Sequence, residues 1–197
     1  MRATLSFRPV TPGPFGSRPR NSHLVMNIRP AAERDHDEVW AILQPVIRAG
    51  ETYPLPRSLG RNDALSYWFA LEHEVFVADD REDDRRVVGT YYLRPNQKGG
   101  GSHVANCGYM TAPWAPGRGV GRAMCEHSLA HAAARGFRAM QFNFVVSTND
   151  RAVRLWQACG FQIVGRLPLA FEHPSRGYVD ALVMFRSLDD QQRTGTR

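Results

Sequence analysis

Hydrophobic positions recur in two periods along this chain, and the period identifies the element. Val39, Ile42, Leu43, Val46 and Ile47 follow the i, i+3, i+4, i+7, i+8 spacing of one apolar stripe, which predicts a helix over 33–48. Pro45 inside it predicts a kink or an early end, because proline has no N–H and its ring crowds the preceding turn. Ala64, Leu65, Trp68 and Leu71 predict a second helix over 63–72. Residues 26–30 read as a short extended start closed by Pro30. Residues 75–78 and 87–94 read as a hairpin, with the charged run 79–86 as a solvated turn. A flexible loop follows at 99–102. The strand predicted over 104–111 places Asn106, Gly108 and Met110 on one face and Cys107 and Tyr109 on the other. A Pro/Gly-rich turn then leads to a helix over 119–135, stopped by Gly136 just past its end. Met140, Phe142, Phe144 and Val146 alternate with Gln141, Asn143, Val145 and Ser147, which predicts a strand over 139–147. Asn149 caps a helix running to about Cys159, and Gly160 stops it. Strands at 161–164 and 178–185 flank a last Pro/Gly loop. The order β-α-α-β-β-β-α-β-α-β-β gives an α/β fold: one largely antiparallel sheet flanked by helices, without a repeat or second domain.

Composition narrows the class. The 197 residues are 43% hydrophobic and 22% charged, as in a globular protein with a core of its own. The net charge of +6 suggests an acidic polymer as partner until it is located. Residues 1–25 contain Arg2, Arg8, Arg18 and Arg20 and no Lys, Asp or Glu, so four of the six charges lie there. That segment is rich in Pro, Gly and Ser and reads as a disordered extension, with Met26 near a natural start. Residues 26–188 are expected to form the domain and 189–197 a polar tail. The three cysteines, Cys107, Cys125 and Cys159, are odd in number, form no CxxC pair and lie in apolar or helical stretches. They read as reduced thiols of a cytoplasmic protein. No apolar run long enough for a membrane span or a secretory leader is visible.

Chemistry concentrates between 104 and 161. Pro116-Gly117-Arg118-Gly119-Val120-Gly121-Arg122-Ala123 joins a strand to a helix. Its glycines allow close backbone approach, and the helix start offers free N–H groups and the positive dipole end, an arrangement suited to a pyrophosphate. Arg118 and Arg122 add charge. A P-loop is absent, and so is an early strand-GxGxxG unit with its distant acid. His127 and His131 stand at i, i+4, a metal spacing, but no third ligand accompanies them, so packing or exposure is expected and no metal.

Together with the downstream helix Asn149-Asp150-Arg151-Ala152-Val153-Arg154-Leu155-Trp156-Gln157-Ala158-Cys159-Gly160-Phe161, this loop resembles the acetyl-CoA-binding core of the GNAT acyltransferases. The resemblance implies a GNAT fold with a mixed, mostly antiparallel sheet of six to seven strands. It implies acetyl-CoA as co-substrate, with its pyrophosphate held by backbone amides of Arg118, Gly119, Val120, Gly121, Arg122 and Ala123. Main chain of Met110 and Thr111 would pair with the pantetheine arm, and Asn149 would hydrogen-bond the cofactor. Two positions depart from the pattern. Pro116 replaces a Gln or Arg. Trp156 replaces a Tyr that protonates the departing thiolate in many relatives, which an indole N–H cannot do.

Ala105-Asn106-Cys107-Gly108-Tyr109, the stretch from Ala139 through Asn143 to Asn149, and Gly177-Tyr178-Val179-Asp180-Ala181-Leu182 are similar to a narrower branch. Its members are fungal N-acetyltransferases of toxic proline analogues such as azetidine-2-carboxylate. Carried over, Asn106 and Asn143 would bind the acceptor amino acid, and Gly50-Glu51-Thr52-Tyr53-Pro54 resembles the branch's substrate loop. Independently, asparagine is depleted in strands, so Asn106 and Asn143 need partners there: a ligand, each other, or backbone across splayed strands. For the base, a water held near Asn106 is favoured over Glu51, His103 and Tyr178. A backbone N–H near Met110 or Thr111 suits the oxyanion. Two other readings stay open: another small amine or a protein amine as acceptor, and nucleic-acid binding through the Arg-rich extension. Many relatives dimerise through C-terminal strands, so a homodimer is one expectation; no membrane partner is expected.

Overall fold

The computed structural model describes residues 26–80 and 86–189; the expected extension 1–25 and most of the expected tail lie outside the described residues. The order begins with β1 (Met26–Pro30), α1 (His36–Ala49), α2 (Arg61–Trp68), β2 (Glu74–Asp80), β3 (Val87–Pro95) and β4 (Val104–Thr111). It continues with α3 (Val120–Ala134), β5 (Ala139–Val146), α4 (Asp150–Ala158), β6 (Gln162–His173) and β7 (Gly177–Ser187). The strands form one sheet ordered β1-β2-β3-β4-β5-β7-β6, antiparallel except for the β4–β5 pair. This is the mixed, mostly antiparallel sheet expected.

Alternation within β3 decides which helix lies on which face. Thr90 turns to one side, where its hydroxyl accepts the Trp68 indole N–H of α2 at 3.0 Å. Tyr91 turns to the other, with its hydroxyl 2.6 Å from His127 Nδ1 of α3. Helices α1 and α2 therefore cover one face, and α3 and α4 the other. Trp68, Tyr91, Leu93, Met124, Met140 and Met184 are fully buried between these layers.

Several boundaries differ from the sequence pattern for identifiable reasons. Helix α1 runs through Pro45 to Ala49, because Pro45 and the Ala41 carbonyl it deprives of a donor are both on the exposed side. Helix α2 ends at Trp68, and Leu71, counted in its stripe, is fully exposed. Residues 99–101 form a 3-10 turn rather than an irregular loop. Asp79 and Asp80 belong to β2 and are each 1% exposed, not part of a solvated turn. Strand β5 carries a bulge between Phe142 and Val145, so Val145 and Val146 are both buried and the alternation breaks. Strand β6 continues through the expected Pro/Gly loop to His173, with bulges between Ile163 and Gly165 and between Leu167 and Phe171. An edge strand accommodates Pro168 because its outer N–H positions need no partner.

Candidate active site

The site is made by two parallel strands that part. Strands β4 and β5 pair only at Val104–Ala139 and Ala105–Met140, and beyond that they diverge. On its other edge β4 stays in register with β3 throughout. Asn96 N–H donates to the Val104 carbonyl at 2.7 Å, and Ala112 N–H to the Val88 carbonyl at 2.9 Å. In an antiparallel ladder alternate residues bond the same neighbour. The even-numbered residues of β4, Met110 included, therefore spend their main chain on β3. Tyr109 and Thr111 turn theirs into the gap. Of the two expected residues, Thr111 turns its main chain to the gap, whereas the main chain of Met110 is bonded to β3 and its side chain lines the cavity.

On the α3 side, the glycine loop closes the gap. Gly117 and Gly119 have φ of 72° and 80°, left-handed values that favour glycine. The first intrahelical bond of α3 is Ala123 N–H to the Gly119 carbonyl at 3.0 Å. The amides of Val120, Gly121 and Arg122 have no backbone acceptor among the described residues, and all three residues line the cavity. Asn149 lines it too, and its Oδ1 also accepts the Ala152 N–H at 3.2 Å, which makes it the N-cap of α4. Arg118 and Ala123 do not line the cavity. Arg118 instead donates to buried Asp80 at 2.7 Å, tying the loop to the end of β2. Trp156 is 8% exposed and packs against Tyr109 and Phe142, with ring centroids 4.9 and 5.1 Å away.

On the α1–α2 side, the gap is lined by amides and phenols. Asn106 Nδ2 donates to the Gln141 carbonyl at 2.8 Å, bridging the parted strands. Asn143 Nδ2 donates to Asn96 Oδ1 at 2.6 Å, and Asn143 Oδ1 accepts from Gln141 Nε2 at 2.8 Å. Both asparagines line the cavity, and the amide nitrogen of each is bonded within the protein. Tyr53 donates to the Tyr109 carbonyl at 3.3 Å. Tyr92 stacks on His73 at 4.1 Å and meets the edge of Trp68 at 5.0 Å. Burial pushes the phenols of Tyr53, Tyr92 and Tyr109 up, so they remain neutral donors.

The whole space measures about 780 Å³ and is lined by residues of both faces. Its charged lining consists of Arg94, Arg122, Arg151 and Arg154, with no Asp, Glu, Lys or His among the described residues. Glu51, His103 and Tyr178 are therefore outside it. Glu51 lines a smaller neighbouring space of about 230 Å³ with His173, sharing Thr52 and Asn149 with the main cavity. His103 is exposed and bonded to the Gly100 carbonyl, and Tyr178 is 65% exposed. Tyr67, Tyr92 and Arg94, which line the cavity, and Asn96, which holds Asn143, are residues that the motifs did not announce. Strict alternation of Thr90, Tyr92 and Arg94 on β3 was the signal available for two of them. His127 and His131 are engaged by Tyr91 and Glu74 respectively, and no group of three metal-ligand side chains occurs among the described residues.

Comparison with known proteins agrees with this architecture. Residues 40–161 match the model of the acetyltransferase (GNAT) family. The N-acetyltransferase aca1 of Schizosaccharomyces pombe is 31% identical over 161 residues, which is 73% of this chain and 77% of that protein. A GCN5-related N-acetyltransferase from Kribbella flavida superposes with a TM-score of 0.78 at 41% identity, over 82% of this chain and 97% of its own. A phosphinothricin acetyltransferase from Sinorhizobium meliloti, solved in complex with acetyl-CoA, shares the fold at 20% identity with a TM-score of 0.74, over 88% and 93% of the two chains. With strands that part, a glycine loop opening α3 and these relatives, the chain belongs to the acetyltransferase (GNAT) family.

Proposed function

We propose that the protein is an acetyl-CoA-dependent N-acetyltransferase of a small-molecule amine, with a proline-analogue amino acid as acceptor. The carrying observation is one cavity that passes through the β4–β5 gap and joins unpaired α3 amides on one face to Asn106 and Asn143 on the other. Unpaired helix amides, two left-handed glycines and Arg122, Arg151 and Arg154 fit a pyrophosphate. The Tyr109 and Thr111 main chain suits an extended pantetheine arm, and an amide there can donate to the thioester oxygen as its charge develops. The acceptor amine must lose a proton before attack. The main cavity has no Asp, Glu, Lys or His among the described residues of its lining, so water beside Asn106 takes that proton, and Glu51 lines the adjoining space. Trp156 cannot protonate the leaving thiolate, which leaves that step to water.

Among alternative acceptors, a basic peptide fits poorly, because it would place its cations against Arg94 with no carboxylate among the described residues lining the cavity. A nucleic-acid role would rest on residues 1–25, outside the described residues, and is not proposed. A cytoplasmic location accords with three buried cysteines that are all free. No helix among the described residues is long and apolar enough to cross a membrane. Pairing of two copies through the free edge of β6 completes the reading.

The test follows thiol release from acetyl-CoA against a panel of amines. Turnover of azetidine-2-carboxylate is expected, with kcat/KM falling about 10- to 100-fold in Asn143→Ala while KM for acetyl-CoA holds. Absence of CoA binding by calorimetry would overturn the reading.

A further inference from the structure

The charge of the acceptor half of the cavity identifies what it recognises. Arg94 is the one charged residue lining that half; the other three arginines belong to α3 and α4 on the opposite face. It lies directly across from Asn106 in the β3–β4 register, about 5.5 Å away between Cα atoms for a hydrogen-bonded pair. Thr90, Tyr92 and Arg94 share one face of β3, and Tyr92 lines the same space. Two residues further on, Asn96 holds Asn143. Arg94 is half-buried. Among the described residues its guanidinium has no carboxylate within ion-pair distance, and its hydrogen bond is a long one, 3.5 Å, to the adjacent Pro95 carbonyl. Half-buried Arg29, by contrast, is matched to Asp35 and Asp79, and half-buried Arg186 donates to the Cys159 carbonyl. His73, stacked on Tyr92, is held below its usual range first by burial and further by the charge of Arg94. That charge therefore reaches the ring cluster that walls the acceptor half.

We infer that Arg94 is the carboxylate-recognising residue of the acceptor site, so that the enzyme acts on amines that carry a carboxylate. The inference rests on the acetyl-transfer reading and names the residue that holds the acceptor's carboxylate. A planar guanidinium with several N–H donors matches a carboxylate bidentately. Asn106 and Asn143 supply neutral contacts beside it and fix no charge of their own. The positive charge also disfavours the ammonium form of the bound amine, which raises the share of the nucleophilic neutral form.

The experiment compares azetidine-2-carboxylate with azetidine-2-carboxamide at saturating acetyl-CoA, for the wild type, Arg94→Gln and Arg94→Lys. The wild type should prefer the acid by about tenfold or more. Arg94→Gln should lower kcat/KM for the acid by about 30-fold, chiefly through KM, and leave the amide within about threefold. Arg94→Lys should recover part of the loss, because it keeps the charge and loses the fork. KM for acetyl-CoA should not move in either variant. Equal losses on acid and amide, or a wild type indifferent to the carboxylate, would overturn the role of Arg94 and leave acetyl transfer standing. Failure of acetyl-CoA to bind would defeat both.

Discussion

Gly108 shows how a single atom shapes the acceptor side. A Cβ built there would stand 2.6 Å from Tyr92 Cε1 and 2.7 Å from the Tyr53 hydroxyl. Neither ring can withdraw freely, since Tyr92 is wedged between His73 and Trp68 and Tyr53 is tied to the Tyr109 carbonyl. Gly108→Ala should therefore cost about 1–3 kcal/mol of stability, the usual penalty of overpacking. It should also raise KM for the acceptor several-fold and leave KM for acetyl-CoA unchanged, because the crowding is confined to one face. Urea unfolding and steady-state kinetics check both, and a variant with wild-type values would show that the rings yield. The sequence could not announce this, because the glycine is required by Tyr53, which a loop far away in the chain brings back. Asn149 was legible for the opposite reason: its partner, the Ala152 N–H, lies three residues on. Asn143 falls between these cases. Its unusual place in a strand marked it, whereas its partner Asn96 comes from another element.

Elements are joined by charges that no local pattern reveals. Arg29 of β1 donates to both oxygens of Asp35 at 2.8 Å and to Asp79 of β2 at 3.0 Å. It thereby fixes the first strand to the start of α1 and to its neighbour in the sheet. Both carboxylates are almost fully buried, with side chains 3% and 1% exposed. Arg29→Met leaves them without a cation and should destabilise the fold by about 3–5 kcal/mol near pH 7. The Arg29 hydrogen bonds hold the Asp35 carboxyl below its ordinary range against the opposing pull of burial. A depressed folded value means that this stabilisation is present above the unfolded value, about 4, and is lost as pH falls through the folded one. The gap between wild type and variant should accordingly narrow below about pH 4, as followed by urea midpoints at pH 7 and pH 3. An equal gap at both would refute the linkage. Asp79 and Asp80 read as part of a solvated turn because acids follow one another there, whereas their cations, Arg29 and Arg118, arrive from elsewhere in the chain; residues 81–85 of that run lie outside the described residues. Strand β6 is longer than its local pattern for a related reason. Gly165 and Pro168 signal a loop locally, yet at a sheet edge they are absorbed by bulges, one held by Leu169 N–H donating to Asp180 at 2.9 Å.

At the scale of the molecule, the order of elements was legible because apolar periodicity reports each one independently, from α1's stripe to the strand of 104–111. The cofactor half of the cavity was legible as well, since a glycine loop and a helix cap are continuous in sequence. The acceptor half was not, because it is assembled from β3, β4, β5 and the α1–α2 loop, and only the fold brings Tyr92, Arg94, Asn96 and Asn143 together. One whole-molecule feature remains to be satisfied. Sheet order leaves β1 and β6 as edges, and β6 is the long one, with Ile163 44%, Val164 58%, Leu167 39% and Leu169 64% exposed. Long apolar edges are rarely left bare in monomers. A second copy would present the same edge and the same side chains, as a two-fold interface requires, which is the pairing proposed above. Light scattering at tens of micromolar should therefore give about twice the 22.2 kDa chain mass. Val164→Lys, which puts a charge into that contact, should return it to the single-chain value. None of Ile163, Val164, Leu167 and Leu169 lines the cavity, so the monomeric variant should keep kcat/KM within about twofold. A wild type that scatters as a single chain, or a variant that stays paired, would remove β6 as the contact.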